Sequence, residues 1–187
     1  MKAVDVVLQV AQMLGKEDLS EFLRSGVSAD LSQAKKDRQT IIDCLNNVIY
    51  ELATTTCKLK CEEIFEPLNS KIFYKDFSKK ILSVSSVLDL HGSVVSYRSF
   101  PTHIALYNDK KVKIVYNYLP NKASLTQNVE VGSPLVTETI ISYGTIAEYY
   151  LVNALYEESV IWRQKYEENL SKVLQGKKRY IKGRVFA

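Results

Sequence analysis

The sequence predicts an α+β protein, a bundle of about four or five helices with a small central antiparallel sheet of about four strands. Three observations point there. Apolar residues recur at steps of three and four near both ends of the chain. Between residues 71 and 119 they alternate instead, and glycine, proline and Asn-Asp pairs mark the changes of rhythm. The 187 residues suffice for a core that needs no disulfide or metal. A single domain is therefore expected, helical over 1–66 and 134–175, with a β insertion over 71–119 and a basic arm over 176–187.

The first helix is expected over 3–14, with Val4, Val7, Leu8 and Ala11 at helical spacing and Gly15 as its C-cap. A short second helix over 18–24 stops at Gly26. The third is long. Ser28 or Asp30 caps it, and Leu31, Ala34, Arg38, Ile41, Leu45, Val48 and Leu52 form its stripe. Thr54, Thr55 and Thr56 weaken it late on, and Pro67 bars any continuation. Cys44, Cys57 and Cys61 all fall within this expected helical stretch.

KIFY, KILSVSSVLD, SVVSYR, HIALYN and KVKIVYNYL are short and rich in β-branched and aromatic residues, as strands are. His91-Gly92 and Asn108-Asp109-Lys110 lie between them as expected hairpin turns. In VKIVYNY, Val112, Ile114, Tyr116 and Tyr118 share one side, and Lys113, Val115 and Asn117 the other.

LPNKASLTQNVEVGSP reads as a loop whose Ser133 caps the next helix, with Pro134 at its first position. The helical pattern then runs too far for one element, and Asn153 to Tyr156 is the expected break. Glu157 and Glu158 follow in a first turn, where negative charge is favoured. Before the break Ile140, Gly144, Ala147, Leu151 and Ala154 form one face, with Gly144 and Ala147 leaving room for a close neighbour. After it Leu155, Trp162, Tyr166, Leu170 and Val173 share a face, and Arg163 pairs with Glu167 across one turn. The single tryptophan is thus expected to be a packing anchor alongside Tyr166 and Leu170, not a stacking platform.

Catalytic chemistry has few candidates. His91 falls in a turn and His103 opens a strand, neither beside an activated nucleophile. Cys57 and Cys61 lack further ligands for a metal, and no phosphate loop or dinucleotide fingerprint occurs. The expectation is no enzyme, no cofactor and no metal. Three cysteines without framework spacing suit a reduced compartment. The opening MKAVDVVLQVAQML, interrupted by Asp5 and Gln9, does not read as a secretory signal, and no run approaches the ~18 apolar residues of a membrane span.

The net charge of +4 does not imply nucleic-acid binding; its placement matters more. No acid follows Glu168, while Lys172, Lys177, Lys178, Arg179, Lys182 and Arg184 do, interleaved with Tyr180, Ile181, Val185 and Phe186. Three readings stand side by side: a solvated chain end, a docking arm for a partner protein, and a strip facing nucleic-acid phosphates. The apolar residues favour the arm, since an electrostatic strip has no need of Ile181, Val185 and Phe186.

The order of elements resembles the head-to-tail adaptor, or connector, proteins of tailed bacteriophages. The sequence signal is SYGTIAEYYLVNALYEESVIWRQKYEENL over 142–170, with an echo in IIDCLNNVIYELA over 41–53 and in the VYNYLP that closes the sheet. The resemblance implies a homo-oligomeric ring of about twelve subunits closed by heterologous contacts. It implies a place beneath the capsid portal protein, with the arm of Lys177, Lys178, Arg179, Tyr180, Ile181, Lys182, Arg184, Val185 and Phe186 reaching into that portal. The sheet would present loops to a downstream tail protein, and DNA would pass through the lumen without sequence readout. Such a protein is found at the head–tail junction of the virion, and in the host cytoplasm before assembly. A nucleic-acid-binding module acting through the basic tail is the alternative.

Overall fold

The computed structural model describes residues 1–27 and 29–175. They form five helices and two antiparallel sheets of three strands each, an α+β fold. The chain divides into two compact units. One is helical and comprises residues 1–49, 122–129 and those from 133 on; the other is β-rich and comprises 50–121 and 130–132.

The helical unit opens with α1 (Ala3–Met13), which buries Ala3, Val6, Val7, Val10 and Ala11. This stripe is turned from the expected one because Gln9 faces α4 (Glu138–Val152), where its side chain meets Thr139 and Ser142. Next, α2 (Glu17–Ser25) ends at Gly26, whose φ of 77° is left-handed backbone that glycine adopts without cost. Asp30 caps α3 (Leu31–Thr54), accepting a 2.9 Å bond from the Gln33 amide. The other candidate cap, Ser28, lies outside the described residues. The predicted stripe of α3 is buried at Ala34, Ile41, Leu45, Val48 and Leu52.

Beyond Thr54 the expectation of helix to residue 66 fails. The hydroxyls of Thr54 and Thr55 bond back to the carbonyls of Tyr50 and Glu51, and the Cys57 amide bonds to Leu52, closing the last turn. The chain then enters β1 (Leu59–Phe65), so Cys57 and Cys61 stand outside the helix that holds Cys44. The β-rich region therefore begins before residue 71.

Five more strands follow: β2 (Lys71–Phe73), β3 (Ile81–Asp89), β4 (Tyr97–Ser99), β5 (His103–Leu106) and β6 (Val112–Tyr118). They pair as β1-β6-β3 and as β2-β5-β4. The turn at His91-Gly92 does return the chain onto β3, where Val95 bonds to Val87. The stretch 108–110 makes no hairpin, because β5 and β6 belong to different sheets. Asp109 instead accepts a 2.9 Å bond from the Ser70 hydroxyl, and Asn108 caps its own loop at the Lys110 amide. The alternation read in β6 holds: Val112, Ile114 and Tyr116 enter a core with Ile72, Phe77, Val87, Ile104 and Leu106. Gly132 passes against β1's approach, where a Cβ would strike the carbonyl oxygens of Cys57 and Lys58.

Ser133 does not cap α4. It shapes a turn that accepts from the Val136 and Leu135 amides, and Thr137 takes the N-cap, its hydroxyl facing the Ile140 amide. The loop after Pro134 is thereby longer than the sequence suggested. Inside α4, Gly144 meets Val48 of α3 and Tyr166 of α5 (Tyr156–Gln175) at close range.

Candidate interaction surface

The break between α4 and α5 is built locally. The Asn153 side chain donates to the Tyr149 carbonyl at 2.7 Å, and the Leu155 amide reaches the Tyr150 carbonyl at 2.9 Å. Ala154 takes a left-handed φ of 59°, uncommon for a residue with a Cβ, and this turns the chain into α5. Ser159 then ties the helices together, donating to the Ala147 carbonyl at 2.9 Å.

That turn leaves an apolar elbow in solvent. Between residues 151 and 161 six large apolar side chains are exposed: Leu151 at 47%, Val152 at 61%, Leu155 at 45%, Tyr156 at 64%, Val160 at 67% and Ile161 at 55%. Leu151, Ala154 and Leu155 were expected on packing faces and are exposed instead. Ala154 and Leu155 lie in the break itself, outside both helices, and Leu151 stands in the last turn of α4. The packing face of α5 begins later, with Ser159, Tyr166 and Leu170 buried.

The elbow is also acidic. No lysine or arginine occurs between Lys122 and Arg163, whereas Glu148, Glu157 and Glu158 flank the apolar residues. A groove of about 350 Å³ runs from it between the two helices, lined by Ala147, Glu148, Leu151, Val160 and Glu167 among others. Arg163 borders this groove, 2.9 Å from Glu167 as the spacing predicted and 3.8 Å from Glu148.

Of the predicted anchors, Tyr166 and Leu170 are buried, while Trp162 is only half-buried. Its ring lies 5.6 Å from that of Tyr143, and the Lys165 ammonium sits 4.2 Å above it. The arm, Lys177 to Phe186, lies outside the described residues.

His103 stacks on Phe100 at 4.9 Å, and the backbone amide of His91 donates to the Asp89 carboxylate at 2.9 Å. Burial, with Glu148 and Asp43 nearby, pushes the Cys44 thiol up to about 12. In the β-rich unit the Tyr116 hydroxyl donates to Glu63, which also accepts from Ser78 at 2.6 Å. Burial alone would raise the Glu63 carboxyl, but the bonds from Ser78 and Tyr116 outweigh it and hold the group below its ordinary range. The Tyr116 phenol is pushed up, by burial first and then by Glu63. An open cleft of about 720 Å³ in the same unit is lined by Tyr74, Val84, Tyr97, Phe100 and two lysines, without a carboxylate or imidazole. Among the described residues no cluster of three His, Cys, Asp or Glu could hold a metal, and no helix is long and apolar enough to cross a membrane.

Comparison of the chain with known protein families and with curated proteins finds no match. The elbow was missed in the sequence, although a signal was there: an apolar stretch astride a helix break, in a segment without a single basic residue.

Proposed function

We propose that this chain is a structural virion protein that assembles into a ring, joins the capsid portal to the tail, and lets DNA pass through its lumen. The supporting observation is the elbow from Leu151 to Ile161. Six exposed large apolar side chains within eleven residues favour a protein contact, because leaving them wet costs solubility. The resemblance over 142–170, which contains the elbow, supplies the phage context and the partners: the portal protein on one side and a tail protein on the other. In this reading the chain has no turnover, and DNA meets it only in passing.

Electron microscopy and light scattering of the purified protein, alone and mixed with the portal of its phage, test the proposal. Closed rings that cap the portal are the expected result. A protein that stays monomeric in both conditions would overturn it.

A further inference from the structure

We infer that the acidic, apolar elbow of each copy is covered by the basic, apolar segment from Lys177 to Phe186 of a second copy, so that subunits join head to tail. The inference rests on the assembly proposed above and names the contact that makes it. Two features match. The elbow offers Leu151, Leu155, Tyr156, Val160 and Ile161 beside Glu148, Glu157 and Glu158. The segment offers Tyr180, Ile181, Val185 and Phe186 among five basic residues and no acid. Opposite charges around an apolar centre give register and specificity to such a contact.

Span keeps Lys177 and Lys178 from Glu157 and Glu158 of the same copy. Glu157 and Glu158 stand near the start of α5, about 26 Å along the helix from Gln175 at 1.5 Å per residue. Lys177 and Lys178 follow Gln175 after Gly176 alone, and even a straight chain carries them no more than about 11 Å from it. Lys177 and Lys178 therefore fall short of Glu157 and Glu158 of their own α5. They meet those of another molecule, and the two surfaces, being different, leave each subunit with one free donor and one free acceptor. Repeating such a heterologous contact closes a ring when the rotation permits.

Light scattering of the full-length protein tests this. Glu157→Lys with Glu158→Lys, and separately Lys177→Glu with Lys178→Glu, each weaken assembly by roughly tenfold or more. The four changes in one chain bring assembly back to within about threefold of the parent, a rescue that misfolding cannot imitate. Val160→Asp and Ile181→Asp are each monomeric, yet mixed in equal amounts they form a pair and nothing larger, since only one intact contact remains. Circular dichroism checks that each variant keeps its helices.

Variants that assemble like the parent would overturn the pairing and leave the proposed function standing. Tail variants that form normal rings but lose the portal would overturn it in favour of the portal as occupant. A parent that is itself monomeric, with and without the portal, would remove both proposals.

Discussion

Gly144 faces Tyr166 so closely that a Cβ on it would fall 3.1 Å from the ring's Cδ2 and Cε2, and 3.0 Å from Cγ1 of Val48. Three helices meet at this point. Alanine here gains up to ~1 kcal/mol of helix propensity but crowds two buried side chains, so Gly144→Ala should stay within about 1 kcal/mol of the parent. Gly144→Val should cost ~1 to 3 kcal/mol, because its branches have nowhere to go. Urea unfolding of both variants measures the difference.

Trp162 and Tyr166 differ in burial, and their truncations should differ accordingly. Tyr166→Ala empties a buried site and should cost ~3 to 5 kcal/mol. Trp162→Ala removes a half-buried ring against Tyr143 and Lys165 and should cost only ~1 to 2 kcal/mol. Equal melting temperatures for the two variants would contradict the assigned faces.

The carboxyl of Glu63 makes the β-rich unit acid-sensitive. Its folded value lies below the ordinary 4.5, so its stabilisation is present above that pH and is lost as the pH falls further. Glu63→Gln should shrink the loss of thermal stability on acidification below about pH 5. At neutral pH, Glu63→Ala should cost ~1 to 3 kcal/mol by leaving the buried Tyr116 hydroxyl without its acceptor.

At the alkaline end Cys44 works in the opposite sense. Its folded value near 12 stands above the ordinary 9.0, so the unfolded chain gives up this proton first. The group has no effect on stability below pH 9 and destabilises the fold increasingly from there towards 12. At pH 8 a thiol reagent should label Cys61, which is partly exposed, well before Cys44. Equal labelling rates in the folded protein would show that α3 opens.

Salt separates the adaptor from the nucleic-acid module. A single subunit should bind duplex DNA negligibly at physiological ionic strength. Strong binding with a steep dependence on salt, abolished by changing Lys177, Lys178 and Arg179 together, would favour the module instead.

Local chemistry made much of this fold readable. Asp30 and Gly26 act at helix ends through their own side chain or its absence, and Val112, Ile114 and Tyr116 alternate because β6 is central, with a partner on each side. The misreading of β1 has a physical source. As an edge strand it carries Lys60, Glu62 and Glu63, residues that suit a wet strand edge and a helix alike. Pairing β5 with β2 and β4 rather than with β6 is a long-range choice, and no period within the strands encodes it. At the elbow, Ala154 and Leu155 belong to the left-handed break and not to either helix, so helical period does not say which way they face. The arm was visible as composition only.

The tight passage at Gly132 sets a limit on how far this chain can vary. Where two peptide oxygens stand in the place of any substituent, a saturation library should return a single amino acid, whatever the rest of the surface tolerates. Such a point stays fixed while the apolar residues around it can be exchanged for others of like size.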